Sequence, residues 1–232
     1  MTITAKSVIH RVVVDSLDDP TSVKWPISEI VRYFNAGQRA VLLFRPDVKS
    51  VTFSHTCTAG VRQTIPATYS KVLEVPRNTN GPALRQVLRK TLDRTIPGWT
   101  VMTGVTTIVH FDFDPREPRV VLVYPPAAVG AAIDVMASAY PTDITEPSDG
   151  LTWNDVTGNM DLPDLFDQPL HDFICAMAWG KDSEYAGNQQ KAVGYATSFA
   201  NFLGIEFKSL LAMMPYLMRD QPSAGPAAGA AA

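Results

Sequence analysis

The spacing of apolar residues changes twice along this chain, and that double change restricts the fold more than any motif does. Across residues 27–44, Ile27, Ile30, Val31, Phe34, Val41 and Leu42 recur at helical intervals. Pro26 stands where proline suits a first helical turn, and Arg45-Pro46-Asp47 stops the pattern. From residue 48 the period falls to two. Lys49–His55 alternates with Val51 and Phe53 on one face, followed by short β-type runs at Val61–Ile65 and Lys71–Val75 and a turn cluster at Asn78–Pro82. Leu84–Leu88 suits strand or helix, and Leu92–Trp99 predicts one helical turn ending at Pro97-Gly98. Val105–Phe113, Arg119–Tyr124 and Ala131–Ala139 predict three more strands, the first two joined by Asp114–Pro118.

Helical spacing then returns. Pro169, Leu170, Phe173, Ile174, Met177 and Ala178 share one face; after a break at Asp182–Asn188, Ala192, Tyr195, Ala196, Phe199, Phe202 and Leu203 share another, with Gly204 placed to end the helix. Residues 4–17 carry Val8, Ile9, Val12, Val13 and Leu17 at helical spacing, with Thr4 as a cap. The order is two helices, a β region, two helices, and neither helix pair buries its stripe alone. The reading is an α+β fold: a helical bundle of the N- and C-terminal helix pairs with an inserted, mostly antiparallel β region. The bundle takes residues 1–47 and 163–204, and its core is Ile30, Val31, Phe34, Val41, Phe173, Ile174, Met177, Tyr195, Phe199 and Phe202. The β-rich insertion is 48–140, a long polar connecting loop is 141–162, and 205–232 is a C-terminal arm and low-complexity tail.

Of 232 residues, 46% are hydrophobic and only 19% charged, a balance that suits a surface covered by copies or partners and equally a compact neutral monomer. The net charge of −3 argues against a non-specific nucleic-acid binder, which needs a basic footprint. Arg85, Arg89, Lys90 and Arg94 cluster, and a solvated face accounts for them. No apolar run is long enough for a signal or a membrane span, and two distant cysteines, Cys57 and Cys175, suit a reducing cytosol without zinc.

The phosphate loop, dinucleotide fingerprint, nucleophile elbow and HExxH patterns are missing from the sequence. His10, His55, His110 and His171 are isolated, with no metal-ligand spacing. Asp112 and Asp114 alternate near His110. On a strand they share a face that could take a divalent cation, although a hairpin with solvated acids explains them as well. Asp161, Asp164, Asp167 and Asp172 surround the start of the third helix, where negative charge complements the dipole and Asp164 could cap it. Trp25, Trp99, Trp153 and Trp179, with no basic stripe around them, read as packing or interface anchors. No cofactor is called for.

Asp220–Ala232 has no large apolar side chain and cannot offset its own ordering entropy. Before it stand Ile205, Phe207, Leu210, Leu211, Met213, Met214, Tyr216, Leu217 and Met218. Methionine adapts to irregular surfaces, so this stretch reads either as a docking arm or as a last element that finishes the core.

Three segments, WPISEIVRYFNAGQRAVLLFRPD (25–47), FDPREPRVVLVYPP (113–126) and DFICAMAWGKDSEYAGNQQKAVGYATSFANFLG (172–204), together resemble the head-to-tail adaptors of short-tailed bacteriophages, the tail tubular protein A type. The resemblance covers roughly residues 5–205 and rests on the order and spacing of these segments. It implies a structural virion protein at the head–tail junction, assembled in the host cytoplasm, with no enzyme activity and no membrane. It implies a ring of twelve copies that joins the portal to the tail tube or nozzle, with the genome passing through at ejection without specific binding. It also implies a C-terminal segment that reaches the portal, here Phe207, Leu210, Leu211, Met213, Met214, Tyr216, Leu217 and Met218. A mildly acidic subunit repeated round a ring would repel DNA from the channel wall. Another phage tail or head-closure protein, a cellular binding module, and a small metal-dependent enzyme using His110, Asp112 and Asp114 stay open as alternatives.

Overall fold

The computed structural model describes residues 3–148, 150–182 and 186–204. The chain is α+β and divides into two compact units, Met1–Phe44 with Asp143–Ala232, and Arg45–Thr142.

The first unit is helical. Thr4 caps α1 (Ala5–His10), its hydroxyl accepting from Ser7 N–H at 3.2 Å. The helix continues through Arg11–Ser16 as wider π-type turns, and Leu17 N–H reaches back to the Val12 carbonyl at 2.9 Å. Val8, Ile9, Val12 and Val13 are buried along it. Asp19 then shapes the turn into the next helix by accepting from the backbone N–H groups of Val23, Lys24 and Trp25. Asp18 and Ser22 sit in the left-handed region to make that turn.

α2 (Ile27–Phe44) buries Ile27, Ile30, Val31, Phe34, Val41 and Leu42, each worth about 2 kcal/mol of transfer free energy. It packs on α4 (Asp167–Lys181), and α4 packs on α5 (Ala186–Leu203). The α2–α4 approach is close: a Cβ on Gly37 would lie 2.4 Å from Leu170 Cδ1. α4 is buried on most of its circumference, as suits a central helix. Gly204, with φ 66°, follows the end of α5.

The polar connection after residue 142 is fastened to α2. Asn35 grips the Ile144 backbone through both ends of its amide, at 3.0 Å each. Gln38 accepts from Asp161 N–H, Arg39 pairs with Asp143, and Arg32 pairs with Glu146. A one-turn 3₁₀ helix at Trp153–Asp155 is closed by a capping box with Thr152. Asp164 does not cap α4 as its spacing suggested. Phe166 stands at that cap, and the Asp164 carboxylate accepts from Ile3 N–H, tying the N-terminal segment down.

The second unit holds two sheets. One has the order β1 (Ser50–Thr56), β7 (Ala132–Ala139), β3 (Tyr69–Asn78). The other runs β2 (Gly60–Thr64), β6 (Val120–Ala127), β5 (His110–Asp112), β4 (Arg85–Gln86). All pairings are antiparallel except β4 with β5. Val72, Val75, Ile108, Phe111, Val121, Val123, Ile133 and Val135 belong to one buried cluster fed by both sheets.

The predicted strand Val105–Phe113 is shortened to His110–Asp112. Upstream, the backbone N–H and carbonyl of Ile108 are taken by the Asn78 side chain, at 2.8 Å each, instead of by a ladder. Leu84–Leu88 resolves as the two-residue strand β4. The predicted turn at Leu92–Trp99 begins earlier, as α3 (Arg89–Thr95), and a 3₁₀ turn at Trp99–Val101 follows Gly98.

Candidate interaction surfaces

The core residues expected for the helical unit divide by position. Ile30, Val31, Phe34, Val41, Phe173, Ile174 and Phe199 are buried. Met177 and Tyr195 are half-buried. Phe202 differs from expectation: it is 45% exposed, touching Phe166 edge-on with ring centroids 5.8 Å apart. Helical spacing alone put it on the inner face, but it lies in the last turn of α5, and among the described residues Phe166 is the ring that meets it. The candidate docking residues Phe207, Leu210, Leu211, Met213, Met214, Tyr216, Leu217 and Met218 lie outside the described residues.

The carboxylates considered for a cation have other partners. Asp112 accepts from Arg89 N–H at 2.7 Å, starting α3. Asp114 accepts from the backbone and side chain of Arg116, and that side-chain hydrogen bond holds its carboxyl down at about 2. His110 stacks on Tyr124 instead of turning toward them. Among the described residues, no group of three or more His, Cys, Asp or Glu side chains could hold a metal ion. Arg89 and Lys90 do line a groove of about 550 Å³ with Arg62, Arg116, Asp112 and Glu117. Arg62 and Glu117 form a two-pronged pair across it, at 2.9 Å for each bond. Arg89 and Lys90 of the cationic cluster thus stand beside Asp93, Asp112, Asp114 and Glu117 in this groove.

One polar cluster escaped the sequence reading. His171 Nε2 lies 2.8 Å from Ser16 Oγ, and Nδ1 lies 3.0 Å from Asp172 Oδ1. Asp172 also accepts from Gln168 at 2.8 Å and from Ser198 at 2.6 Å. The cluster joins the end of the first helix, α4 and α5. Serine, histidine and aspartate in this order resemble a hydrolytic relay. Here Asp172 is adjacent to His171 on one helix and is shared with Ser198 and Gln168, so the cluster acts as a buried pin. Its signal in the sequence was weak: a polar His-Asp pair in the middle of an apolar stripe. Burial pushes the Cys175 thiol beside it up to about 12 and the Cys57 thiol up to about 11, so neither is a thiolate nucleophile near neutrality.

The tryptophans pack within their units. Trp25 meets Trp179 edge-on, and Lys24 and Lys191 lie over those rings. Trp99 is buried and donates to Asp93 at 2.8 Å, and Trp153 meets His10 at 4.5 Å. Exposed apolar side chains fall elsewhere. In the sheet unit, Val101 and Val129 are 85% and 82% exposed, and a shallow cleft of small residues there includes Ala59, Gly60, Gly104 and Ala128. In the helical unit, Val23, Leu43 and Leu165 are exposed. Among the described residues, no helix is long and apolar enough to cross a membrane.

The described residues thus show buried polar pins and exposed apolar side chains in both units. Comparison with curated proteins returned no significant match. A family model described as the SU10 adaptor protein matches residues 3–221, nearly the whole chain. This is a family of phage structural adaptors and not an enzyme class, and its model runs through both units. The chain belongs to the SU10 adaptor protein family.

Proposed function

We propose that this chain is the head-to-tail adaptor of its virion: a ring of twelve copies that seats on the portal, receives the tail tube or nozzle, and lets the genome pass through its middle. The observation that carries this reading is the family match across residues 3–221, which includes the apolar stretch 205–218 as well as both compact units.

In this reading the N- and C-terminal helices form one bundle around Ile30, Val31, Phe34, Val41, Phe173, Ile174 and Phe199, with Met177 and Tyr195 at its margin. Bundle and sheet unit supply two different faces, and head-to-tail contact between unlike faces closes into a ring when the rotation permits. Phe207, Leu210, Leu211, Met213, Met214, Tyr216, Leu217 and Met218 dock on the portal, where the flexible thioethers of three methionines fit an irregular groove. The net charge of −3 supports a channel wall that repels DNA phosphates.

The test is a binding measurement with isolated portal rings, using the full chain and a chain ending at Gly204. The full chain should bind, and the shortened chain should lose at least tenfold in affinity. Equal binding by both refutes the docking arm. Absence of portal binding by either refutes the adaptor role.

A further inference from the structure

The last turn of α5 borders apolar surface. Phe202 is 45% exposed, and its ring meets Phe166 edge-on with centroids 5.8 Å apart. Leu165 precedes Phe166 in the 3₁₀ turn Asp164–Phe166 that leads into α4, and it is 69% exposed. Large apolar side chains gain by leaving water in proportion to the area covered, so Phe202 and Leu165 offer a seat to an apolar partner.

The end of α5 favours one occupant. Gly204 has a φ of 66°, in the left-handed region, and its N–H donates to the Asn201 carbonyl at 3.2 Å. That bond, from the first residue past the helix to the carbonyl three positions back, belongs to the Schellman ending. In such endings an apolar residue directly after the left-handed position packs back against the last turns of the helix. The residue in that position is Ile205, which opens IEFKSLL (205–211), where Ile205, Phe207, Leu210 and Leu211 are four large apolar residues out of seven. Seven residues can span about 25 Å from Gly204, ample to reach Phe202, which lies two positions before it. The tether also gives this segment an effective concentration at the surface that a separate molecule must exceed.

We propose that in the free chain residues 205–211 seat on the apolar surface of Phe202, Phe166 and Leu165 of the same chain. Connectivity, the left-handed Gly204 and the apolar composition of the segment select this occupant. The contact belongs to the free chain and does not rest on the portal reading. It bears on that reading in one respect: Phe207, Leu210 and Leu211 must leave this seat in order to dock elsewhere, so the seat competes with any partner for them.

The experiment is oxidative footprinting of the free chain, read at Phe202 by mass spectrometry, without portal. The native chain is compared with a full-length chain carrying Phe207→Asp and Leu210→Asp, and fully buried Phe34 serves as the folding reference in both. Phe202 should be oxidised several-fold more slowly in the native chain, at every concentration, while Phe34 stays protected in both. Equal oxidation of Phe202 in the two chains overturns the proposal. So does protection that appears only as concentration rises, which would place the segment of a second copy on this surface. A second measurement needs no disruptive variant. Leu165→Cys combined with Phe207→Cys or with Leu210→Cys should close a disulfide within one chain under mild oxidation, since Cys57 and Cys175 are buried. Failure of both pairs to close overturns the proposal and leaves portal docking to its own test.

Discussion

In the unit made of Met1–Phe44 and Asp143–Ala232, the buried polar side chains include two carboxylic acids and an imidazole, Asp19, Asp172 and His171. In the unit of Arg45–Thr142, those among the described residues are Gln63, Asn78 and Ser138, all neutral. The ion pairs differ in the same way. Arg11–Asp167, Lys24–Asp182, Arg32–Glu146, Arg39–Asp143 and Lys181–Glu29 all join residues more than a hundred positions apart. In the sheet unit, Arg45–Asp47, Arg116–Asp114 and Arg89–Asp93 are local, while Arg62–Glu117 and Arg77–Asp134 join residues about fifty-five positions apart. A unit whose halves are separated by a whole inserted unit must close a long loop in order to form. Directional polar bonds between the halves give that closure one register, which apolar contact alone does not specify. The continuous unit has no such loop, and its ladders align it.

The strongest challenge to that contrast is Asp172→Ala. It leaves His171, Gln168 and Ser198 without their shared acceptor inside the helical unit, at a cost of about 3 kcal/mol. Hydrogen exchange should show loss of protection in α4 and α5 while β6 and β7 keep theirs; equal loss in both units would remove the contrast. Gly37→Val should cost about 2 kcal/mol in denaturant unfolding, because the added carbons meet Leu170 and Phe173 in a packed seam. An unchanged midpoint would mean that the α2–α4 seam gives way easily.

Asn78→Ala tests the sheet unit from the other side. It frees the Ile108 backbone and removes one of two bonds to the Pro82 carbonyl, at about 2 kcal/mol, and the loss of exchange protection should stay within residues 45–142. The smallest effect belongs to Glu29. Burial pushes its carboxyl up, but hydrogen bonds from Lys181 and Tyr33 outweigh that and hold it below the ordinary 4.5. A lowered folded-state value means that its contribution is complete above the unfolded value and fades as pH falls through the folded one. Screened by solvent, this amounts to about 0.5 kcal/mol. Lys181→Met should therefore flatten the acid limb of stability below about pH 4.5, seen in thermal melts across pH. An unaltered limb would place the acid sensitivity elsewhere.

The elements read most directly from the sequence were those whose apolar residues keep one period over many positions, α2, α4 and α5. Elements whose backbone bonds are made by distant side chains were read less well. Nothing near Ile108 announces that Asn78 will take its backbone groups, and the predicted strand was too long for that reason. Asp164 looks like a cap because caps are local, yet its partner is Ile3. Phe202 has the right period for the core, but burial depends on what lies across from a side chain, and among the described residues Phe202 meets Phe166 edge-on and stays 45% exposed. The family itself was legible in the order of segments, since spacing between elements survives where no single motif is diagnostic.

By itself, the sequence determined the alternation of helix and strand, the absence of familiar reactive motifs, and membership in a structural family, because periodicity and motif spacing are properties of neighbours along the chain. Only the tertiary structure decided that Ser16, His171, Asp172 and Ser198 meet, and that Asp143, Ile144, Glu146 and Asp161 are held by side chains of α2. Each of those depends on which distant residues face one another once the chain has closed on itself, and hydrogen bonds at 3 Å select among the packings that hydrophobic burial alone would permit.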